Sequence, residues 1–430
     1  MAETIELPFG RGSLEVRLPD GVQATMVVKR EQPGLPDPAG AIRQVLDAPL
    51  GAEPLSVLAQ SKRSACILIC DITRPVPNSL FLRPMIEELL AAGISPDAIT
   101  VLVATGLHRP NEGDELRELI GDPWVLETVK VENHFARNDE DHIDLGITAT
   151  HQVRVKVDRR FVEADLKIAT GLVEPHFMAG YSGGRKVIVP GVAHADTIRT
   201  FHSARFLESP AARSCNLLGN PLHETQMEIL GMLGDVYAVN TVLNDHRELI
   251  YVTFGEVVAS HVAAVEFARG SCIVEVGRKF QTVVTSAAGF PLDSTYYQTV
   301  KGMVTPLDIL EPGGTLIVAA KCSEGMGSAE FREAQKALKR KGSEAFLQTL
   351  MAQTFAEIDE WQTEMLLRAT RGFRVQLYAP GLSPEDSDLT CVEMIDSVEE
   401  AIQRSIERSG DPNVAVIPEG PYLIPLYKAE

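Results

Sequence analysis

The sequence predicts an α/β protein made of two lobes. The chain of 430 residues is longer than a single hydrophobic core normally supports, which favours two domains. From Ala65 onward, short apolar runs alternate with amphipathic helical stretches, and the same alternation resumes at Phe280. Such alternation is typical of a parallel sheet covered by helices on both faces. We therefore expect two Rossmann-like α/β lobes, residues 1–270 and 271–430, with the active site in the cleft between them.

The first lobe is expected to begin with a small β hairpin or meander. Residues 1–30 alternate apolar and polar side chains around glycine turns, and a short helix follows at 39–48. Apolar runs then predict strands and periodic runs predict helices. The expected strands are 65–71, 98–106, 127–133, 166–173, 236–244 and 248–256, and the expected helices are 79–93, 112–121, 220–233 and 257–269.

The second lobe repeats the same pattern. A strand and its turn are expected at 281–289, a helix at 295–310 and a strand at 314–322. Helical stretches between 328 and about 370 lead to further elements of the same kind. These are a strand at 373–381, a helix at 397–410 and a strand at 413–420.

Composition excludes two classes of partner. The formal net charge of −19 argues against nucleic acid or an anionic membrane as the main partner, because either would need a basic face. An anionic ligand would therefore need a local positive site within an acidic protein. The six cysteines have no paired metal-type spacing, so we expect free thiols of a reducing compartment. The N-terminal residues lack the pattern of a signal peptide and no apolar run is long enough to span a bilayer, so a cytoplasmic location is the simplest expectation.

Polar side chains follow three of the predicted strands. The segments are Asp71–Pro77, Thr105–Pro110 and Glu174–His176, and each combines a cation or an imidazole with a proline. Ligands of doubly wound sheets gather at the carboxyl ends of the strands. A lone histidine is more often structural than catalytic, but three strand ends with the same character indicate a site. Its candidates are Arg74, His108 and His176.

The stretch from Lys167 to Phe206 is rich in glycine and cations. Gly183 and Gly184 precede Arg185 and Lys186, and glycines at this density indicate a tight turn or a close approach of backbone to a ligand. After a Pro190–Gly191 turn, a helix is expected from near His194, with His202 about two turns in. No hydroxyl follows the lysine, so this is not a P-loop, and G-x-G-x-x-G, H-E-x-x-H and G-x-S-x-G motifs are absent.

Taken together, these motifs resemble the nickel-pincer lactate racemase family. The resemblance lies in D-x-T-R-P at 71–75, T-G-x-H-R-P at 105–110, E-P-H at 174–176, S-G-G-R-K-x-I-x-P-G at 182–191, and His202. Tyr297-Gln298 with Lys301 and Trp361-Gln362 are similar to further family positions. The resemblance covers most of the chain. It implies a racemase or epimerase that inverts C2 of a 2-hydroxy acid, such as lactate or malate, by proton-coupled hydride transfer through a 2-keto acid.

The resemblance also implies a cofactor and its ligands. The cofactor is a pyridinium bisthiocarboxylic acid mononucleotide that holds nickel, supplied by cofactor-biosynthesis enzymes. Lys186 corresponds to the lysine that tethers it and His202 to the nickel ligand. An accessible amine of lowered pKa suits the first role, and Arg185 would help to lower that pKa. A neutral imidazole suits nickel in the second.

The remaining candidates surround the substrate and the nucleotide. The resemblance implies His108 and His176 as a pair of catalytic bases, one for each enantiomer. Arg74 would hold the substrate carboxylate through its bidentate fork or polarise the forming carbonyl. Gln298 and Lys301, one helical turn apart, would share this task. Asp71 and Thr73 are candidates for orienting Arg74 or for contacting the cofactor phosphate. Further contacts with the cofactor are expected from Gly183, Gly184 and Arg185.

Two other classes of function stay open on the sequence. A nicotinamide-dependent hydroxy acid dehydrogenase would act on similar substrates, although the usual dinucleotide fingerprint is missing. A non-enzymatic carrier of nickel or of the cofactor would need Lys186 and His202 but would have no use for His108 and His176. Trp361 is either a lid over the substrate or an ordinary core residue.

Overall fold

The computed structural model describes residues 4–429, which form twenty strands and seventeen α-helices. The strands are β1 (Thr4–Phe9), β2 (Gly12–Arg17), β3 (Gln23–Met26), β4 (Ala65–Cys70), β5 (Ile99–Ala104), β6 (Lys130–Asn133), β7 (His142–Ile147), β8 (Arg154–Asp158), β9 (Leu166–Leu172), β10 (Pro175–His176), β11 (Gly180–Tyr181), β12 (Tyr237–Leu243), β13 (Leu249–Glu256), β14 (Ile273–Val276), β15 (Phe280–Ser286), β16 (Leu310–Ala319), β17 (Arg374–Tyr378), β18 (Glu393–Met394), β19 (Asn413–Ile417) and β20 (Ile424–Tyr427).

The α-helices of the described residues are mostly short and lie between these strands. They are α1 (Pro38–Asp47), α2 (Leu55–Leu58), α3 (Asn78–Ala91), α4 (Gly113–Ile120), α5 (Pro123–Thr128), α6 (Arg159–Val162), α7 (Gly184–Ile188), α8 (Ala195–Phe201), α9 (Ala204–Leu207), α10 (Pro221–Leu233), α11 (Val257–Cys272), α12 (Tyr296–Val304), α13 (Ala329–Lys341), α14 (Ser343–Met351), α15 (Glu360–Thr370), α16 (Pro384–Leu389) and α17 (Val398–Ser409).

The chain divides into two compact units. The central unit comprises Glu31–Phe201 and Pro210–Ser271, and the terminal unit comprises the chain up to Arg30, His202–Ser209 and the chain from Cys272. The change after Ser271 lies next to the predicted boundary at 270. Two segments depart from the predicted division, because the first strands and residues 202–209 belong with the terminal unit.

The central unit contains a mostly parallel six-stranded sheet. Its strand order is β13-β12-β9-β4-β5-β6, and only the edge pair of β12 with β13 is antiparallel. The central strand β4, whose residues Ala65 to Ile69 are all buried, is apolar because helices cover both faces. Helices α1 and α3 bury Ile42, Phe81 and Ile86 against one face. This arrangement confirms the α/β class expected from the alternation of strands and helices.

The terminal unit contains a second sheet, in which all six strands are parallel. The order is β18-β17-β16-β15-β19-β3, so the short strand Gln23–Met26 lies at its edge beside Asn413–Ile417. That pairing is the physical reason why the N-terminal residues belong to this unit. The hairpin of β1 and β2 confirms the predicted N-terminal hairpin, and Ile5, Leu7 and Val16 pack into the core of the same unit.

Two further expectations concern cysteines and membrane spans. All six cysteines carry free thiols, and burial raises the pKa of Cys66 well above the ordinary thiol value. Within residues 4–429, no helix combines the length and the apolar composition needed to cross a bilayer.

Candidate functional site

The central sheet changes winding direction between β4 and β9. The chain proceeds from β4 to β5 and β6 on one side, whereas β9 and β12 lie on the other. Ligands of doubly wound sheets bind beyond the carboxyl ends of the strands at such a switch point. The three predicted segments follow β9, β4 and β5, which are adjacent strands. Their adjacency brings the predicted polar strand ends to one edge of the sheet.

Asp71 and His108 form the closest polar contact at this edge. Oδ2 of Asp71 lies 2.6 Å from Nδ1 of His108, and Oδ1 accepts the hydroxyl of Thr73 at 2.5 Å. Burial alone would raise the pKa of Asp71, but the hydrogen bonds from His108 and Thr73 hold it below its ordinary value. An ionised carboxylate is only an acceptor, so Nδ1 of His108 carries the proton. The ring itself is 62% exposed, and its Nε2 is left as an acceptor.

Arg74 lies across the switch point from Glu174. Nε of Arg74 is 3.6 Å from Oε1 of Glu174, and both side chains are about one third exposed. Nη1 of Arg74 also contacts the carbonyl and the hydroxyl of Thr73, at 3.2 and 3.4 Å. Thr73 thus links Asp71 and Arg74, as the sequence analysis allowed. The guanidinium is thus held next to Glu174, the second residue after β9, with about one third of its side chain exposed.

His176 lies in a small hairpin formed by β10 and β11. Its Nδ1 accepts the backbone N–H groups of Met178 at 3.3 Å and Ala179 at 3.1 Å, and its ring stacks on Phe177 at 5.1 Å. Gly180 closes the hairpin with φ of +78°, and a Cβ there would lie 2.3 Å from the carbonyl oxygen of Asn216. The hairpin is therefore built around the imidazole and requires this glycine.

Lys186 follows a helix start that packs tightly on β9. A Cβ on Gly171 would lie 3.0 Å from backbone atoms of Gly183, and one on Gly183 would lie 2.7 Å from His261 and Val173. These glycines allow helix α7 to approach the sheet closely, with half-buried Lys186 in the helix. Burial, and then the charge of Arg74, lower the pKa of Lys186 to about 8.

Gly184 and Arg185 make polar contacts within the protein. The N–H of Gly184 donates to Oδ1 of Asn240 at 2.9 Å. The fully buried guanidinium of Arg185 donates to Nδ1 of His223 at 2.8 Å and lies 2.9 Å from Nε2 of His261. It also donates to two carbonyl groups of the His176 hairpin. Both groups are satisfied within the protein because α7 is pressed against the sheet.

The terminal unit carries the remaining candidates. The ring of His202 lies 4.8 Å from the ring of Trp361, whose Nε1 donates to the hydroxyl of Tyr297 at 3.2 Å. Gln298 and Lys301 are half-buried on helix α12, one turn apart. Oε1 of Gln298 is buried and has no hydrogen-bond partner among residues 4–429.

The surroundings of His202 differ from expectation. The predicted helix begins at Ala195 but ends at Phe201, so His202 comes directly after it rather than within it. The segment 202–209 is attached to the terminal unit by hydrogen bonds. Arg371 donates to both carboxylate oxygens of Glu208, at 2.9 Å each, and Arg368 donates to the carbonyl of Ser209. These partners are about 160 residues away in sequence, so local periodicity could not predict them.

Sequence reasoning missed the group beneath the His176 hairpin. The group contacts this hairpin or Arg185 and consists of Asn220, which precedes helix α10, His223 on α10 and His261 on α11. The polar Asn220 before a proline was a detectable signal, because Asn at that position caps a helix, and its Oδ1 accepts N–H groups of Leu222 and His223. Nothing in the local pattern distinguished His223 or His261 from surface histidines.

These features define an α/β protein of two units, with a candidate acid–base site at the switch point of its first sheet. Models of the lactate racemase N-terminal domain and the lactate racemase C-terminal domain match residues 9–215 and 277–424. The chain belongs to the lactate racemase family. The lactate racemase of Thermoanaerobacterium thermosaccharolyticum is 30% identical over 376 residues, 85% of either chain. That of Lactiplantibacillus plantarum is 28% identical over 422 residues, 97% of this chain and 98% of the relative.

Solved structures agree with this assignment. The lactate racemase apoprotein from T. thermosaccharolyticum superposes with a TM-score of 0.89 at 27% identity and covers 98% of this chain and 100% of its own. A Thermotoga maritima protein superposes with a TM-score of 0.65 at 18% identity, over 93% of this chain and 100% of its own. The second similarity concerns the fold alone.

Proposed function

We propose that this protein is a racemase or epimerase that inverts C2 of a 2-hydroxy acid, such as lactate or malate. Membership of the lactate racemase family supports an isomerase of this class. The observation that carries the proposal is the hydrogen bond between Asp71 and Nδ1 of His108, which leaves Nε2 of an exposed imidazole as a proton acceptor. Removal of a hydroxyl proton requires such an acceptor.

The residues fit a nickel-pincer nucleotide, the cofactor implied by the family resemblance. A pKa of about 8 keeps part of Lys186 as free amine near neutrality, which suits a covalent tether. The imidazole of His202 suits nickel, and the guanidinium of Arg74 suits an anionic nucleotide in an acidic protein. We assign the tether to Lys186 and the nickel ligand to His202. When bound, this cofactor supplies an acceptor for hydride.

Hydride transfer avoids a difficult proton removal. A carboxylate beside C2 disfavours a carbanion there, so we propose that the hydroxyl proton leaves to a base while the C2 hydrogen leaves as hydride. The product would be a planar 2-keto acid. The other enantiomer would form when hydride is returned to the other face and the base on that face, in its protonated form, gives its proton to the oxygen. His108 and His176 serve as these two bases, one for the hydroxyl group of each enantiomer.

Other side chains orient the acid. Arg74 binds the substrate carboxylate through two parallel hydrogen bonds, and Lys301 adds a second positive charge. Gln298 offers the amide oxygen that lacks a partner among the described residues as an acceptor for a substrate hydroxyl. Asp71 holds His108, and Thr73 holds Asp71. We place the reaction in the cytoplasm, a reducing compartment that suits six free thiols, with cofactor-biosynthesis enzymes as the source of the nucleotide.

Chiral analysis of a panel of 2-hydroxy acids tests the proposal. Protein co-produced with the cofactor-making enzymes should contain nickel and invert at least one of lactate, malate, 2-hydroxyglutarate or a sugar acid. Inversion of none by nickel-loaded protein would favour a cofactor carrier. Reduction of added NAD by one of the acids would instead indicate a dehydrogenase.

Variants separate the proposed roles. Lys186→Ala should lose the mass adduct of the cofactor and His202→Ala should lose nickel. The matched control is Lys167→Ala, which should keep both the cofactor adduct and nickel. Lys167 is half-buried on β9, and its Nζ donates to the carbonyl of Ala164. His108→Ala and His176→Ala should keep nickel and lose racemisation. Retained activity in both histidine variants would show that the bases are misassigned.

A further inference from the structure

The imidazoles of the two proposed bases are held through Nδ1 in opposite ways. Nδ1 of His108 donates to the Asp71 carboxylate at 2.6 Å. Nδ1 of His176 instead accepts the N–H groups of Met178 and Ala179 at 3.3 and 3.1 Å. A nitrogen that accepts N–H groups must keep its lone pair, so the neutral ring of His176 carries its proton on Nε2. In His108 the proton is on Nδ1, so Nε2 has the lone pair.

Buried side chains hold the loop that makes this arrangement. The carbonyls of Ala179 and Tyr181 accept from Nη2 of Arg185 at 3.2 and 3.3 Å, and that of Met178 accepts from Nδ2 of Asn220 at 2.9 Å. Nε2 of His261 lies 2.8 Å from the carbonyl oxygen of Ser182. The loop carbonyls therefore point to the interior, and the N–H groups of Met178 and Ala179 point to the imidazole.

Arg185 is the central member of this buried group. Its guanidinium is 2% exposed, and its contacts among the described residues are two imidazoles and two carbonyls, without a carboxylate. Burying a cation among neutral groups costs several kcal/mol, as a rough figure, unless its hydrogen bonds are well made. A buried guanidinium with this set of partners is suited to fixing backbone carbonyls in a defined geometry, because its donors form a rigid fork.

We infer that Arg185 is a positioning residue that fixes the His176 loop and thereby holds neutral His176 in the tautomer protonated on Nε2, opposite to that of His108. The catalytic meaning of this inference rests on the proposed function. In the neutral rings Nε2 is therefore an acceptor in His108 and a donor in His176. A hydroxyl that faces His108 meets an acceptor at once. A hydroxyl that faces His176 meets an acceptor only after that ring has given up its two backbone hydrogen bonds.

Nitrogen NMR of the folded protein tests the tautomers directly and does not depend on racemase activity. Long-range proton–nitrogen spectra of histidine-labelled protein distinguish a protonated ring nitrogen from an unprotonated one, and His108→Gln and His176→Gln assign the two rings. We expect Nδ1 protonated in His108 and Nε2 protonated in His176. The same tautomer in both rings would overturn the inference, whatever the chiral assay shows.

Variants test the positioning role. Arg185→Lys should give His176 a mixture of tautomers and also displace its ring, and this displacement should lower kcat roughly 10- to 100-fold with little change in KM. Arg160→Lys is the matched control. It changes a half-buried arginine of the central unit that is bound to Asp158 and Glu132 and not to the His176 loop. The assignment would be overturned if Arg185→Lys gave the wild-type spectrum for His176 and a kcat no lower than that of Arg160→Lys.

A second pair of variants covers the case in which Arg185→Lys does not fold. Nδ1 of His223 accepts from Nε of Arg185, so His223→Leu removes that acceptor and His223→Gln keeps one. We expect His223→Leu to shift the His176 tautomer and lower kcat, and His223→Gln to restore both. Equal behaviour of the two variants would contradict a role that depends on this hydrogen bond.

Discussion

Oδ2 of Asp71 and Nδ1 of His108 are 2.6 Å apart, although 37 residues separate them in the chain. The two residues follow β4 and β5, which are adjacent parallel strands paired from Ala65↔Ile99 to Cys70↔Ala104. The carboxylate is buried and ionised, whereas the ring is exposed, so the pair presents the basic nitrogen outward. This is the geometry of a base whose tautomer is set by a neighbouring carboxylate.

Asp71→Asn should lower kcat by about 10²- to 10⁴-fold, because a carboxamide can donate to Nδ1 and favour the wrong tautomer of His108. Nickel content should be unchanged. Steady-state kinetics in both directions, together with metal analysis, measure these effects. Asp122→Asn, the same change at the helix cap that accepts from Trp124, serves as control and should leave kcat at the wild-type value. Comparable kcat values for both variants would remove Asp71 from the site.

Lys186→Met should stabilise the protein without cofactor by about 1–3 kcal/mol at pH 7, because it removes a half-buried ammonium. Folding lowers the pKa of Lys186 from 10.5 to about 8. At pH values between these two, the lysine binds more protons in the unfolded chain than in the folded protein. Wild-type stability should thus rise as pH increases through this window, and the advantage of the variant should shrink. Urea unfolding from pH 7 to 10.5 measures this.

The matched control for that experiment is Lys336→Met, an exposed lysine paired with Glu333 on helix α13. Its effect should stay within about 0.5 kcal/mol at neutral pH. A loss of stability in Lys186→Met at pH 7 would indicate that the lysine is paired rather than desolvated.

Gly183→Ala should destabilise the protein by about 2–4 kcal/mol, because φ at this position is +113° and the new Cβ would lie 2.7 Å from His261 and Val173. Gly231→Ala is the opposite case. It lies in helix α10 with no described heavy atom within 4 Å of the Cβ position, so alanine should add about 0.5–1 kcal/mol. Thermal or urea unfolding compares them, and a neutral Gly183→Ala would contradict the close packing of α7 on β9.

Glu364→Gln should stabilise the protein at pH 8 but not at pH 4.5. The side chain is 2% exposed, its Oε1 has no partner among the described residues, and burial, followed by the charge of Glu208, raises its pKa from 4.5 to about 8. The folded state keeps a proton that the unfolded chain releases, so wild-type stability falls as pH rises from 4.5 to 8. The expected gain at pH 8 is about 2–4 kcal/mol.

Urea unfolding at the two pH values measures the effect of Glu364→Gln. Glu344→Gln, an exposed glutamate on helix α14 that accepts from Gln348, should change stability by no more than about 0.5 kcal/mol at either pH. A gain for Glu364→Gln that is the same at both pH values would show that the carboxyl does not titrate in this range.

Sequence reasoning was sufficient for some elements of the fold and not for others. The expected strand at 65–71 and helix at 79–93 were confirmed as Ala65–Cys70 and Asn78–Ala91, because buried strands and amphipathic helices leave a local periodic pattern. The helix near His194 was confirmed, but its end at Phe201 was not foreseen. Segment 202–209 was assigned to the first lobe, since its attachment through Glu208 and Arg371 is a long-range contact.

The sequence by itself determined the α/β class, the residue types at the strand ends and the family, because these properties depend on local pattern and short motifs. Only the tertiary structure decided which of those residues touch. It paired Asp71 with His108 through the neighbouring strands β4 and β5, and it turned Arg185 inward onto His223, His261 and the His176 loop. The physical reason is that the partner of a buried polar group is set by which strands and helices become neighbours, and that adjacency is not encoded in any single stretch of the chain.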